Sequence, residues 1–216
     1  MFLLNIFYQI KKVFTELLFP ERCVICREFT SWVCPNCRAA LTKAPPHQHS
    51  FIYAPYHYSD PNVQKIIKLF KYNHARVLAL PMAELLAQDK KVKQALNQNL
   101  TLLPLPTTKK SERARGYNQT LILAKALLPY FPLLALEMNV LHKKGLEQTK
   151  AKTRVERIKN SRGAFFLTQP EKVLGKNILL LDDVTTTGSS FIEARRTLKK
   201  AGAKEVLCLA FAYEPE

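Results

Sequence analysis

The chain has 216 residues, enough for one ordinary domain with a small appendage. With 47% hydrophobic and 23% charged residues it can bury a sizeable core, which excludes a disordered chain. Its formal net charge of +16 predicts attraction to polyanions such as nucleic acid, phosphorylated metabolites or anionic lipid.

In the first stretch, residues 1–19, Phe2, Leu3, Ile6, Phe7, Ile10, Val13, Phe14, Leu17 and Leu18 recur at helical spacing. Asn5, Gln9, Lys11, Lys12 and Glu16 lie between them, so the expectation is an amphipathic helix and not a membrane span. No basic region precedes the apolar part and no small-residue cleavage site follows, which argues against a secretory signal. The localisation expected is cytoplasmic, with weak membrane-surface contact as the minority option.

Residues 20–43 hold Cys23, Cys26, Cys34 and Cys37 as C-x2-C-x7-C-x2-C. Each C-x2-C pair can present two thiolates to one ion from a tight knuckle. The seven-residue connection is long enough to bring the second knuckle round to a tetrahedron. Four thiolates leave no open position, so the reading is a structural zinc; two disulfides are the alternative. The fifth cysteine, Cys208, sits in an apolar run and reads as a buried strand residue.

The main body is expected over residues 44–216. Its connector, "KAPPHQHS", carries His47 and His49, read as exposed loop histidines because the cysteines already complete a site. "FIYAPYHYS" reads as a strand, "PNVQKIIKLFKYN" as a helix opened by proline, and Ala75 to about Leu86 as a second helix. "LTLLPLP" is an apolar strand and "NQTLILAKALLPYF" is helical. "LLALEMNVLH" is strand-like, "KNILLLDD" is a strand, "SFIEARRTLKKAG" is a helix stopped by Gly202, and "KEVLCLAFAY" is a strand. Continuous apolar strands alternating with helices predict an α/β fold, a mostly parallel sheet flanked by helices.

Between Thr107 and Gly163 stand 13 Lys and Arg against 4 Glu, so about a quarter of the chain carries more than half of the net charge. That bias points to an anion-binding role for the segment.

In "ILLLDDVTTTGSS", four apolar residues end in Asp182 and Asp183 and then run into Thr185, Thr186, Thr187, Gly188, Ser189 and Ser190. Ligands of an open parallel sheet sit beyond the carboxyl ends of strands. A hydroxyl-rich loop entering a helix N-terminus, with a glycine for close approach, is a phosphate-binding device. Two carboxylates just upstream can accept hydrogen bonds from vicinal hydroxyls or assist a hydrated magnesium ion. Together they describe a site for a ribose 5-phosphate.

The same string resembles the 5-phosphoribosyl pyrophosphate (PRPP) motif of type I phosphoribosyltransferases. "LLPLPTTKKSERARGYNQ" resembles the R-x-R-G-[FY]-N-Q signature of the ComF competence family, related to GntX-like proteins. "KKGLEQTKAKTRVERIKN", the cysteine module and the "IIKLFKY" helix are similar to it too. One departure is Ser189, where such loops more often carry a small apolar residue after glycine.

The resemblance implies a type I phosphoribosyltransferase-like domain behind a small zinc-finger module. It implies PRPP with magnesium at Asp182, Asp183 and Thr185 to Ser190. Pyrophosphate would lie at the loop bearing Lys109, Lys110, Arg113 and Arg115. It further implies a competence protein handling incoming single-stranded DNA at or after inner-membrane transport, with partners in the uptake machinery such as a channel or helicase. Lys143, Lys144, Lys150, Lys152, Arg154 and Arg157 are the candidate DNA contacts. Tyr117, Tyr130 and Phe131 are candidate stacking residues, with core packing as their simpler role. The alternative is an active phosphoribosyltransferase of nucleotide salvage or with an orphan acceptor; no residue is assigned as catalytic.

Overall fold

Chain segments that bring their own turn chemistry define the smaller part of the molecule. The computed structural model describes residues 22–72, 75–107, 112–113, 116–144 and 163–215. The chain divides into two compact units, Met1–Leu41 and Thr42–Glu216. The helix expected over residues 1–19 lies outside the described residues.

In the first unit, the Cys23 N–H donates to the Glu28 carbonyl at 2.9 Å and the Arg27 N–H to the Cys23 carbonyl at 2.9 Å, closing a knuckle. Arg27 adopts the left-handed region with φ +72, a strained position for a side chain of its size. The second knuckle opens the short helix α1 (Pro35–Ala39), with proline in its first turn and Cys34 as its N-cap.

The second unit contains strands β1 (Ile52–Tyr53), β2 (Tyr56–His57), β3 (Leu100–Pro104), β4 (Leu134–Leu136), β5 (Leu141–Lys143), β6 (Phe165–Leu167), β7 (Asn177–Thr185) and β8 (Glu205–Tyr213). Its helices are α2 (Pro61–Tyr72), α3 (Ala75–Gln88), α4 (Lys90–Leu96), α5 (Gln119–Leu127) and α6 (Ser189–Lys200). The main sheet runs β1-β8-β7-β3-β4, with β2 also on β8, and every pairing in it is parallel. β5 and β6 form a separate antiparallel pair.

The two long central strands are apolar on both faces because both faces are covered. Ile178 and Leu180 of β7 join Val206 and Cys208 of β8 in one buried cluster with Phe191, Ala194 and Leu198 of α6. Burial there pushes the Cys208 thiol well up. Leu179 and Leu181 are equally buried and, by the two-residue period of a strand, face the opposite side. On that side α5 packs on β3 and β7, and α3 packs on α5 and α2.

Three details depart from the sequence reading. "FIYAPYHYS" is two short strands, because Pro55 has no N–H for the ladder. "LLALEMNVLH" splits into β4 and β5, which belong to different sheets. Helix α4 was not anticipated; its N-cap Asp89 accepts hydrogen bonds from the Lys91 and Val92 amides, the signal that marks its start.

Glu193 of α6 is 4% exposed, yet it accepts the Gly163 N–H at 2.7 Å and pairs with Arg196 at 2.6 Å. The Arg196 guanidinium, opposed by burial and aided by the Gly163 amide, holds the carboxyl below its ordinary range. A depressed carboxyl stabilises the fold above its unfolded value, and that contribution disappears as pH falls through the folded value. Glu193→Gln is therefore expected to cost about 1 kcal/mol at pH 7 in thermal unfolding, and the difference from the wild type should narrow as pH falls below the ordinary carboxylate range. A difference that does not change with pH would remove the ion pair from this account.

Candidate functional site

The site begins with two consecutive carboxylates inside a strand. β7 extends to Thr185, so Asp182 and Asp183 lie within it rather than at its last residue. Asp183 is 4% exposed and needs partners. Lys71 Nζ, from the last turn of α2, lies 3.2 Å from its Oδ2, and the Gln119 side-chain amide donates to the same oxygen at 3.2 Å. Asp182 is half-buried and accepts from the Asp183 N–H at 2.8 Å and from the Thr120 hydroxyl at 3.4 Å. Burial first, then the adjacent Asp183 carboxylate, pushes the Asp182 carboxyl up to about 8; the Asp183 N–H and Lys71 oppose the shift.

The stretch Tyr117-Asn118-Gln119 explains how these groups converge. The Tyr117 hydroxyl donates to the last carbonyls of α2, those of Phe70 at 3.2 Å and Lys71 at 3.1 Å. Asn118 caps α5 by accepting the Leu121 amide at 3.1 Å. Gln119 then reaches Asp183. One tripeptide thus ties the end of α2, the start of α5 and β7 together, and places Lys71 on the aspartate. Lys71, Gln119 and Thr120 were not singled out as site residues by sequence reasoning. Gln119 and Lys71 both stood in quoted segments, "ARGYNQ" and "IIKLFKY", but neither pattern marks the residue that meets the aspartate.

Beyond β7 the loop turns through Gly188, buried at φ +72, into α6. Thr185 and Thr187 are buried; Thr186, Ser189 and Ser190 are partly open. Thr187 Oγ1 accepts the Ser189 N–H at 3.2 Å. The loop carbonyls are engaged from behind. Thr185 O accepts the Glu214 N–H at 2.9 Å and Thr186 O lies 3.2 Å from His47 Nε2, while Gly188 O accepts the Ile192 N–H at 2.8 Å as the first bond of α6. His47 and His49 are half-buried rather than exposed, because the connector folds back against the loop and Tyr213.

Of the other expected site residues, Arg113 is exposed. Lys144 is exposed at the end of β5, and Lys143 is half-buried with its Nζ 5.5 Å from the Phe165 ring. Lys109, Lys110, Arg115, Lys150, Lys152, Arg154 and Arg157 lie outside the described residues. Among the candidate stacking residues, Phe131 is buried, Tyr117 serves the α2 terminus, and only Tyr130 is exposed.

In the first unit the four sulfurs of Cys23, Cys26, Cys34 and Cys37 lie within 4.8 Å of one another. Sulfur acceptors receive the Cys34 N–H, on Cys23 at 3.4 Å, and the Cys37 N–H, on Cys34 at 3.4 Å. Burial opposes ionisation of Cys23, but amide donors from Cys34, Cys26 and Ile25 outweigh it and bring the thiol to about 6. This donor set fits a tetrahedral soft cation.

The Asp182 shift carries a sign. A carboxyl raised in the fold favours the native state below its unfolded value, and that advantage is lost as pH rises towards about 8. Asp182→Asn removes the repulsion, so its stability gain should grow between pH 5 and pH 8, reaching about 0.5–2 kcal/mol. Chemical denaturation of both proteins across that range checks this; equal pH profiles would refute it.

Residues 119–216 match the phosphoribosyl transferase domain family, a span that begins at Gln119 and contains the aspartates and the loop. The chain is 26% identical to the protein "Competence protein F" of Haemophilus influenzae, over 85% of this chain and 81% of that one. It is 32% identical to "Competence protein ComFC" of Bacillus subtilis, over 49% of this chain and 41% of that one. Among solved structures, a hypoxanthine phosphoribosyl transferase of Trypanosoma cruzi overlaps 66% of this chain and 75% of its own, at 12% identity and a TM-score of 0.40. The parallel sheet, the aspartate pair, the glycine loop and the cysteine cluster thus stand in a chain that is similar to competence proteins F and ComFC and that matches the phosphoribosyl transferase domain over residues 119–216.

Proposed function

We propose that the protein acts in natural transformation, handling incoming single-stranded DNA, and that its second unit binds PRPP with magnesium. The observation that carries the ligand reading is the succession on one strand and helix: Asp182 and Asp183, then Thr185 to Ser190, then the α6 N-terminus. In this reading the aspartates hold the ribose hydroxyls and the loop holds the 5-phosphate through amides and hydroxyls. The pyrophosphate lies towards Lys109, Lys110, Arg113 and Arg115. Magnesium, when bound, neutralises charge on the pyrophosphate. Lys71 and Gln119 pair with Asp183 and aim it, and Thr120 supports Asp182. Zinc on the four cysteines has a structural part, since its four ligands exclude a substrate position.

The names of the relatives and the basic segment from Thr107 to Gly163 support the DNA reading. The candidate contacts are Lys143, Lys144, Lys150, Lys152, Arg154 and Arg157. Partners in this role are single-stranded DNA and proteins of the uptake machinery at the inner membrane, and the expected location is the cytoplasmic side. Among the described residues no helix is long and apolar enough to cross a membrane.

A second reading, transfer of the phosphoribosyl group to an acceptor, is favoured by a cavity of about 200 Å³ at the carboxyl end of β3, lined by Leu103, Thr107, Asn118, Glu137 and Asn139 among others. Accumulation of pyrophosphate with a supplied acceptor would mark it.

Calorimetric titration with PRPP and magnesium tests the first reading. Asp182→Ala/Asp183→Ala should weaken binding at least tenfold while the variant remains folded, and unchanged affinity would sink the site assignment. Single-strand affinity should fall steeply with salt, with a log–log slope reduced by about 1–2 in Lys143→Ala/Lys144→Ala. Binding indifferent to salt would remove the electrostatic argument.

A further inference from the structure

We infer that His47, on the connector that precedes β1, is a positioning residue for the phosphate loop, acting through the Thr186 peptide. The inference rests on the phosphate-loop reading above and adds to it a residue 139 positions upstream of the loop.

The ring's hydrogen bonds fix its tautomer. Nδ1 accepts the His49 N–H at 3.1 Å, which requires a lone pair on that nitrogen. The proton of the neutral ring therefore sits on Nε2, which lies 3.2 Å from the Thr186 carbonyl oxygen and donates to it. The ring is wedged in place by Tyr213, with centroids 4.8 Å apart.

The consequence for the loop follows from peptide geometry. In a trans peptide the carbonyl of one residue and the N–H of the next point in opposite directions. Drawing Thr186 O towards His47 turns the Thr187 N–H away from the connector, to the side where an anion at the α6 N-terminus would sit. The neighbouring peptide is held in the same manner, since Glu214 takes Thr185 O and so aims the Thr186 N–H. Each carbonyl held at the back leaves an amide donor at the front.

Gly188 shows how closely the connector is applied. A Cβ there would stand 2.6 Å from Ile52 Cδ1 and 3.0 Å from His47 Cε1, in addition to the left-handed φ of +72. His47 and Ile52 thus press on the loop at its turn, and the glycine makes that approach possible.

The test uses the full-length protein with two variants. His47→Phe keeps a ring against Tyr213 but donates nothing, whereas His47→Gln returns a donor near the Nε2 position. Expected for His47→Phe is roughly three- to tenfold weaker binding of PRPP with magnesium at an unchanged melting temperature, with most of the loss recovered in His47→Gln. Without ligand, the Thr187 amide should exchange with solvent faster in His47→Phe than in the wild type. A nitrogen–proton correlation spectrum of wild type should place the His47 proton on Nε2. Wild-type affinity in His47→Phe, a proton on Nδ1, or a fall in melting temperature that His47→Gln does not relieve would each overturn the inference. If the wild type itself binds no PRPP, the ligand reading fails, while the tautomer and the Thr187 exchange rate still decide the role of His47.

Discussion

Two carboxylates on consecutive residues inside a buried strand are the constraint on which the rest of the second unit depends. The carboxyl group of Asp183, almost out of solvent, needs a cation and donors beside it. Lys71 supplies the cation and Gln119 the donor, and each comes from a different helix. The placement of α2 and α5 on this face of the sheet is therefore an electrostatic requirement as well as a packing solution. Tyr117 and Asn118 serve that requirement, one by engaging the carbonyls at the end of α2, the other by starting α5 where Gln119 can reach the strand.

The loop that follows is built on a different principle. Its side chains are small and hydroxylated, but its shape is set through the backbone, with Thr185 O and Thr186 O each bonded to a group outside the loop. Such anchoring fixes amide directions without placing charge near the helix N-terminus, so the positive end of the α6 dipole is left for an anion. The buried apolar side of α6, with Phe191, Ala194 and Leu198, holds the helix to the same strand that carries the aspartates. Carboxylates and amide cradle are thereby held at a set spacing by one packed unit.

The sheet and the two ends of the site were legible in the sequence because their signals are local. Apolar runs marked β3, β7 and β8, and an acid pair followed by Thr, Gly and Ser marked the loop. Residues that act across the fold were not legible. The "IIKLFKY" segment holds Lys68 as well as Lys71 and does not say which of them meets the site, since that depends on where Tyr117 pins the helix end. His47 looked like a solvated loop residue because a connector between proline and polar residues has no periodicity to reveal what it folds against. The split of "FIYAPYHYS" was written in Pro55, whose missing N–H breaks the ladder. The division of "LLALEMNVLH" between two sheets had no such marker.

Burial and the adjacent Asp183 carboxylate push the Asp182 carboxyl up even with Lys71, Gln119 and Thr120 in place. Burial and like charge both work against full ionisation, and one lysine does not offset both. Under the proposed function, the groups that best relieve this arrangement are hydroxyls, which donate without adding negative charge, and a hydrated divalent cation, which adds positive charge. A phosphate alone would satisfy the loop yet leave the carboxylates repelling one another, and a free sugar would satisfy the carboxylates yet leave the loop amides without an anion. Under the same reading, a single ligand that carries both a diol and a phosphate at the spacing set by β7 and α6 meets both demands. Selectivity follows from having two demands on one packed unit, because ligands that meet only one of them bind with correspondingly less of the available free energy.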